Sequence, residues 1–169
     1  MKKIILLCIL VLGTLQIQAQ VQDIKSTTYY LIRHAEKERT DPTDKNPHLT
    51  DKGKLRAEKW STIFKNVDFD LVYTTNYNRT IETASPTALS KNLELQFYNT
   101  NSLYDQDFIV KTEGKNVLIV GHSNTTPLFV NTILGSEKYP EIDDLNNSNL
   151  YIITITKSSK TDILLTIDY

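Results

Sequence analysis

The sequence predicts an α/β protein: a three-layer α/β/α sandwich around a mostly parallel central sheet, finished by antiparallel strands at the C-terminus. Three observations carry that expectation. Short apolar runs alternate with segments of helical periodicity, the pattern of strand–helix–strand units. Two of the runs, 29–32 (YYLI) and 117–120 (VLIV), lack polar/apolar alternation, as strands buried on both faces do. Two further strand-like runs close the chain with only a few residues between them, a spacing that suits an antiparallel pair.

The elements follow in chain order. Residues 1–20, MKKIILLCILVLGTLQIQAQ, begin with Lys2 and Lys3, continue in an unbroken apolar run over 4–12 and end in a polar stretch closing on Ala19 and Gln20. That is the layout of a secretory signal peptide, with cleavage expected near Ala19. The apolar run is too short to span a bilayer, which takes roughly 20 apolar residues; retention as an N-terminal anchor is the alternative. The expectation is an exported protein, periplasmic or secreted, with one domain over 21–169 and no membrane span in the mature chain. Cys8 is the only cysteine, so the mature domain has no disulfide and rests on its core, for which about 150 residues suffice.

Strands are expected over 29–32, 70–73 (DLVY), 93–97 (LELQF) and 117–120. Between the first two, Ala57, Trp60, Ile63, Phe64 and Val67 recur at three- and four-residue steps and share one helix face, and Thr50 is placed to cap its start. A second helix is expected over 79–89, kinked or broken at Pro86, because an interior proline costs about 3 kcal/mol. A third has Thr125 or Thr126 as its cap, Pro127 in its first turn, Leu128, Phe129, Ile133 and Leu134 as its apolar positions, and Gly135 at its end. The tail, 149–156 (NLYIITIT) and 162–168 (DILLTID), reads as the antiparallel pair.

The formal charge of −1 becomes −3 once Lys2 and Lys3 leave with the leader. No basic face for nucleic acid is expected from such a balance, and any anion bound by the protein is held by local cations.

In parallel sheets, ligands bind outside the carboxyl ends of the strands. Two of the three histidines fall there: His34 follows YYLI after one residue, and His122 follows VLIV after Gly121. Gly121 permits close backbone approach or an unusual φ, and the loop feeds a helix whose N-terminal dipole attracts anions. Arg33 adds a fork of donors suited to phosphate oxygens, and Arg79, just beyond the second strand, is placed to lean over the same edge. Taken singly, each has an ordinary reading as a surface, capping or solvated helix residue. Together, two guanidiniums and two imidazoles make a site for a phosphoryl group, in which a neutral imidazole can act as nucleophile. Spacing alone leaves open which histidine attacks. The third, His48, reads as a loop residue near the rim, and the three histidines form no compact metal-ligand spacing.

The series RHAE (33–36), RTIETA (79–84) and GHS (121–123), with LTDKG (49–53) before the first helix, resembles the histidine phosphatase superfamily, also called phosphoglycerate mutase-like. The resemblance covers 29–134. It implies that His34 is the nucleophile that becomes phosphorylated and that Arg33, Arg79 and His122 hold the transferring group. It implies no metal and no cofactor. It also implies a carboxylic acid, supplied between the second and third motifs, that protonates the leaving oxygen. Asp105 in NSLYDQDF is assigned that role, with Asp107 as runner-up; the alternative is that both begin a short helix. Glu36 is read as orienting a neighbour or pairing with Lys37.

There are two departures, of which the second bears on the substrate. Ala35 stands where many members have glycine, and the short gap from Arg79 to His122 leaves no room for the insertions that build a mutase pocket or a phytase cap. The compact size is similar to that of the protein phosphohistidine phosphatases, whose cytosolic partners an exported enzyme would not meet. The expected activity is thus a metal-independent phosphomonoesterase acting on small phosphate esters or envelope phosphosugars and releasing inorganic phosphate. A non-catalytic phosphate- or phosphoglycan-binding module, a protein phosphohistidine phosphatase and a mutase are the competing readings.

Overall fold

The computed structural model describes residues 26–168, so the expected leader lies outside the described residues. The strands are β1 (Thr27–Arg33), β2 (Leu71–Thr74), β3 (Leu95–Phe97), β4 (Asn116–Gly121), β5 (Asn149–Ile155) and β6 (Lys160–Thr166). The helices are α1 (Asp51–Ile63), α2 (Asn78–Ser90), α3 (Gln106–Thr112) and α4 (Thr125–Leu134). One six-stranded sheet runs in the order β3-β2-β4-β1-β5-β6. β1, β2, β3 and β4 are mutually parallel, while β5 pairs antiparallel with β1 and β6 antiparallel with β5. The expected mixed sheet with flanking helices is what forms. Among the described residues no helix is long and apolar enough to cross a membrane.

The central strands carry apolar residues on both faces, and each face has its own helices. Tyr29, Leu31, Val117 and Ile119 point into a cluster with Phe108 of α3 and Phe129, Val130 and Ile133 of α4. Ile32, Leu118, Val120 and Val72 point the other way, against Trp60 of α1 with Phe64 just beyond it, and Ala84 and Ala88 of α2. Side chains such as Leu31, Ile32 and Ile133 are wholly buried, each stabilising the fold by about 1.5–3 kcal/mol. That two-sided burial is why these strands show no alternation in sequence.

Local chemistry sets the element ends. Thr50 caps α1 as expected, its hydroxyl accepting from the Gly53 N–H at 3.0 Å. A Cβ at Gly53 would lie 2.1 Å from the Glu36 carbonyl oxygen, so the start of α1 rests directly on the backbone that follows β1. α2 differs from expectation: it runs on through Pro86 instead of breaking there. Thr83, Ala84, Thr87 and Ala88 are buried around the proline, and the Ser61 hydroxyl of α1 donates to the Pro86 carbonyl at 3.2 Å; packing offsets the lost helical bond. At α4 the cap is Asn124, not Thr125 or Thr126: its side chain accepts from the Thr125 N–H at 2.9 Å. The two threonines are used elsewhere, Thr125 accepting from the His122 N–H and Thr126 donating to the Ile32 carbonyl. Gly135 ends α4 in the left-handed region, at φ 73°.

Candidate active site

The first and third motifs meet because β1 and β4 are adjacent and parallel. Arg33 stands opposite Gly121 in the register, and the His34 N–H continues the ladder by donating to the Gly121 carbonyl at 2.9 Å. The two imidazoles therefore lie together, with ring centroids 5.5 Å apart and planes at 68°. β2, on the other side of β4, delivers Thr75 to the same edge, and α2 then supplies Arg79 in its first turn. The second motif is also tied to the first: the Ala35 N–H donates to the Thr83 hydroxyl at 2.9 Å, and that hydroxyl donates to the Arg79 carbonyl at 2.7 Å.

Gly121 serves close approach. A Cβ there would lie 2.7 Å from the Thr126 Oγ1 and 2.8 Å from the Tyr98 hydroxyl, so the missing side chain lets β4, α4 and the residue after β3 converge behind His122.

Arg33, His34, Arg79 and His122 line one cavity of about 440 Å³, together with Ser123, Asn124 and Thr125 at the start of α4. His34 is 3% exposed. Its Nδ1 lies 2.7 Å from the Ala35 carbonyl oxygen. A carbonyl only accepts, so Nδ1 carries the proton and Nε2 carries the lone pair. Burial lowers the His34 pKa to about 3, and Arg33, His122 and Arg79 add repulsion in the same direction. The ring is neutral at pH 7.

His122 is likewise lowered to about 4, by burial first and then by Arg79, Arg33 and Lys37. Its Nε2 lies 2.9 Å from the Thr75 hydroxyl, which lies 3.0 Å from the Thr80 hydroxyl. Thr80 spends its single hydrogen on the Thr75 and Tyr77 carbonyls. Thr75 therefore donates to Thr80 and accepts from His122 Nε2–H, leaving Nδ1 of His122 as the nitrogen open to a proton.

The guanidiniums are held differently. Three of the five donors of Arg33 go to one segment: Nη1 to the Asp143 and Asn146 carbonyls at 2.8 and 3.0 Å, Nη2 to the Asp144 carboxylate at 2.6 Å. Arg79 stacks on the Tyr77 ring, 4.5 Å from its centroid, and that ring meets His122 edge-on. In both arginines the Nε–H is buried without a hydrogen-bond partner. A buried unpaired donor costs about 1–3 kcal/mol, and two guanidiniums at one cavity beside two neutral imidazoles can receive an anion.

The structure thus brings four of the five expected site residues together. Asp105 is not among them. Its carboxylate caps α3, accepting from the Phe108 N–H at 2.8 Å. With Asp107, it lines a separate cavity of about 180 Å³ bordered by Tyr73, Tyr98 and Lys111. The reason is local: an aspartate three residues before a free helical N–H is a ready N-cap, so the short-helix alternative is the one realised. Glu36 pairs with Arg56, at 2.8 and 2.9 Å, and with Lys52, not with Lys37. His48 is exposed and linked to Glu82 and Asn78.

Several cavity residues were not singled out from sequence. Lys37 adds a cation, its pKa lowered by burial and then by Arg79 and Arg39. Tyr77 had a signal, an aromatic two residues before Arg79. The segment 141–148 had none: it forms no helix or strand before β5, yet Ile142 N–H donates to the Ser123 carbonyl and Asn147 donates to the His34 carbonyl. Among the described residues, no three His, Cys, Asp or Glu side chains gather as metal ligands.

Comparison with known proteins agrees with this geometry. A model of the histidine phosphatase superfamily (branch 1) matches residues 29–108. Solved structures share the fold at low identity. The protein histidine phosphatase SixA complexed with tungstate superposes with a TM-score of 0.67 at 17% identity, covering 82% of this chain and 96% of the other. Phosphoglycerate mutase from Bacillus anthracis str. Sterne gives 0.61 at 16% identity, covering 85% and 94%. A mutant phosphoserine phosphatase from Entamoeba histolytica in complex with phosphoserine gives 0.59 at 15%, covering 78% and 95%. A search of curated proteins returned no match. The resemblance to the histidine phosphatase superfamily, and to its compact phosphoglycerate mutase-like members, is borne out.

Proposed function

We propose that this protein is a phosphomonoesterase that works through a phosphohistidine intermediate on His34. One observation carries the reading: His34 Nε2 is an unprotonated, buried nitrogen beside two guanidiniums with unpartnered Nε–H groups. The dianionic phosphoryl group docks on Arg33 and Arg79, with Lys37 and the start of α4 adding positive potential. His122, neutral on its own, takes a proton on Nδ1 as the dianion arrives, since the anion outweighs the repulsion from Arg79 and Arg33. The His34 lone pair attacks phosphorus in line, the ester P–O bond breaks, and water then cleaves the P–N bond.

The cavity is polar and of small-molecule size, which suits small phosphate esters or phosphosugars, and the leader-like N-terminus supports an exported enzyme that needs no metal. One observation favours a second reading, a phosphate- or phosphoglycan-binding module: Asp105 is spent on a helix cap and supplies no acid to the cavity. Turnover separates the two. The enzyme reading expects the mature protein to hydrolyse 4-nitrophenyl phosphate in EDTA, with tungstate as a competitive inhibitor. Tight tungstate binding with no hydrolysis across a broad ester panel establishes the binding module instead.

A further inference from the structure

We propose that Glu141 is the general acid–base of this site, the carboxyl group that protonates the departing alcohol and then takes a proton from the attacking water. The proposal rests on the phosphohistidine reading above and supplies the acid that Asp105 does not.

Among the described residues, two carboxylates line the cavity that holds His34: Asp144 and Glu141. Asp144 is committed. One oxygen accepts from Arg33 and the other from Arg39, both at 2.6 Å. The Arg39 and then the Arg33 hydrogen bonds hold its pKa at about 2, and both of its oxygens are spent on guanidiniums and not free to turn to a leaving group. Its role is to position Arg33.

Glu141 is exposed on the cavity and, among the described residues, has no hydrogen bond or ion pair. Its backbone is nonetheless fixed. The adjacent Ile142 is buried in the core, and its N–H donates to the carbonyl of Ser123 at 2.9 Å, one residue past His122. The side chain is thus free to turn while its root is anchored to the third motif. Lys37, also on the cavity, contributes to the positive field on His122 and belongs to the phosphoryl side.

The cycle balances with Glu141. As the Nε2–P bond forms and the ester P–O bond breaks, the proton of Glu141 passes to the leaving alkoxide, which departs as alcohol. Glu141, now a carboxylate, takes a proton from the incoming water as its oxygen bonds to phosphorus. The P–N bond breaks, the lone pair returns to Nε2 and inorganic phosphate leaves.

The test uses the mature protein, its E141Q and E141D variants, and two esters that differ in leaving group: glycerol 2-phosphate and 4-nitrophenyl phosphate. E141Q is expected to lower kcat on the alkyl ester by about 10²- to 10⁴-fold. Phosphoenzyme formation from the aryl ester, whose phenolate needs little protonation, changes by less than about 3-fold. The phosphoenzyme then accumulates, because its hydrolysis has lost the base, and E141D restores part of the alkyl-ester rate. Wild-type rates in E141Q, equal slowing of both chemical steps, or a wild type that forms phosphoenzyme only from the aryl ester would each overturn the role of Glu141 alone. A wild type that forms no phosphoenzyme from either ester overturns the phosphohistidine reading, and this proposal with it.

Discussion

Two cavities open near the carboxyl end of the parallel strands, and they use their polar groups in opposite ways. In the one bordered by α3, Asp105 meets a helix N–H and forms an ordinary cap. In the one at the ends of β1 and β4, Arg33 and His34 are almost wholly buried, both imidazoles are held neutral, and two guanidinium Nε–H groups lack partners. The first arrangement lowers the energy of the fold. The second raises it, and perturbed groups gathered in one cavity mark a candidate working site. A polar residue in a suggestive motif is therefore weaker evidence than a polar residue left electrostatically unsatisfied.

The contrast can be broken most severely at the proposed nucleophile. His34→Ala is expected to reduce turnover of 4-nitrophenyl phosphate on the order of 10⁶-fold, as loss of a covalent nucleophile does, with the same melting temperature or a higher one. Steady-state kinetics and thermal melts check both parts. Next, Arg79→Ala removes a guanidinium that lines the cavity and is expected to cost about 10²- to 10³-fold in kcat/KM. Arg79→Lys recovers little of it, since the Nε–H and the stacking on Tyr77 are lost.

Acid provides the third comparison. The folded pKa values of His34 and His122, about 3 and about 4, lie below the ordinary 6.5. Between those limits the unfolded chain binds more protons than the folded one, so stability is full above pH 6.5 and falls as pH drops toward 4 and 3. At pH 5 the loss is about 2 kcal/mol per histidine, and urea titrations from pH 7.5 to 5 should show it. The smallest effect belongs to the other cavity. Asp105→Ala is expected to lower stability by about 1 kcal/mol through the lost cap while leaving turnover of alkyl and aryl esters unchanged. Asp105→Asn, which keeps a cap, should change neither.

Sequence legibility followed the same division. Strands β1 and β4 were legible because two-sided burial writes continuous apolar runs, and four site residues because they sit directly at strand ends or on the helix that follows. At Pro86 the helix does not break, because buried threonines and alanines hold α2 through it. Asp105 misled because cap and acid share one residue type, and only the direction of the side chain separates them. The segment 141–148 was illegible: EIDDLNNS has neither helical nor strand periodicity, and its importance comes from long-range hydrogen bonds to Arg33, His34 and Ser123.

The central claim is that the His34 Nε2 lone pair is the attacking group. Its most direct test is to quench the wild-type protein during turnover and locate the phosphoryl group by peptide mass spectrometry and ³¹P–¹⁵N coupling. The account predicts an acid-labile, base-stable phosphoramidate on Nε2 of His34. A label on His122, on the Nδ1 of His34, or on an aspartate would contradict it.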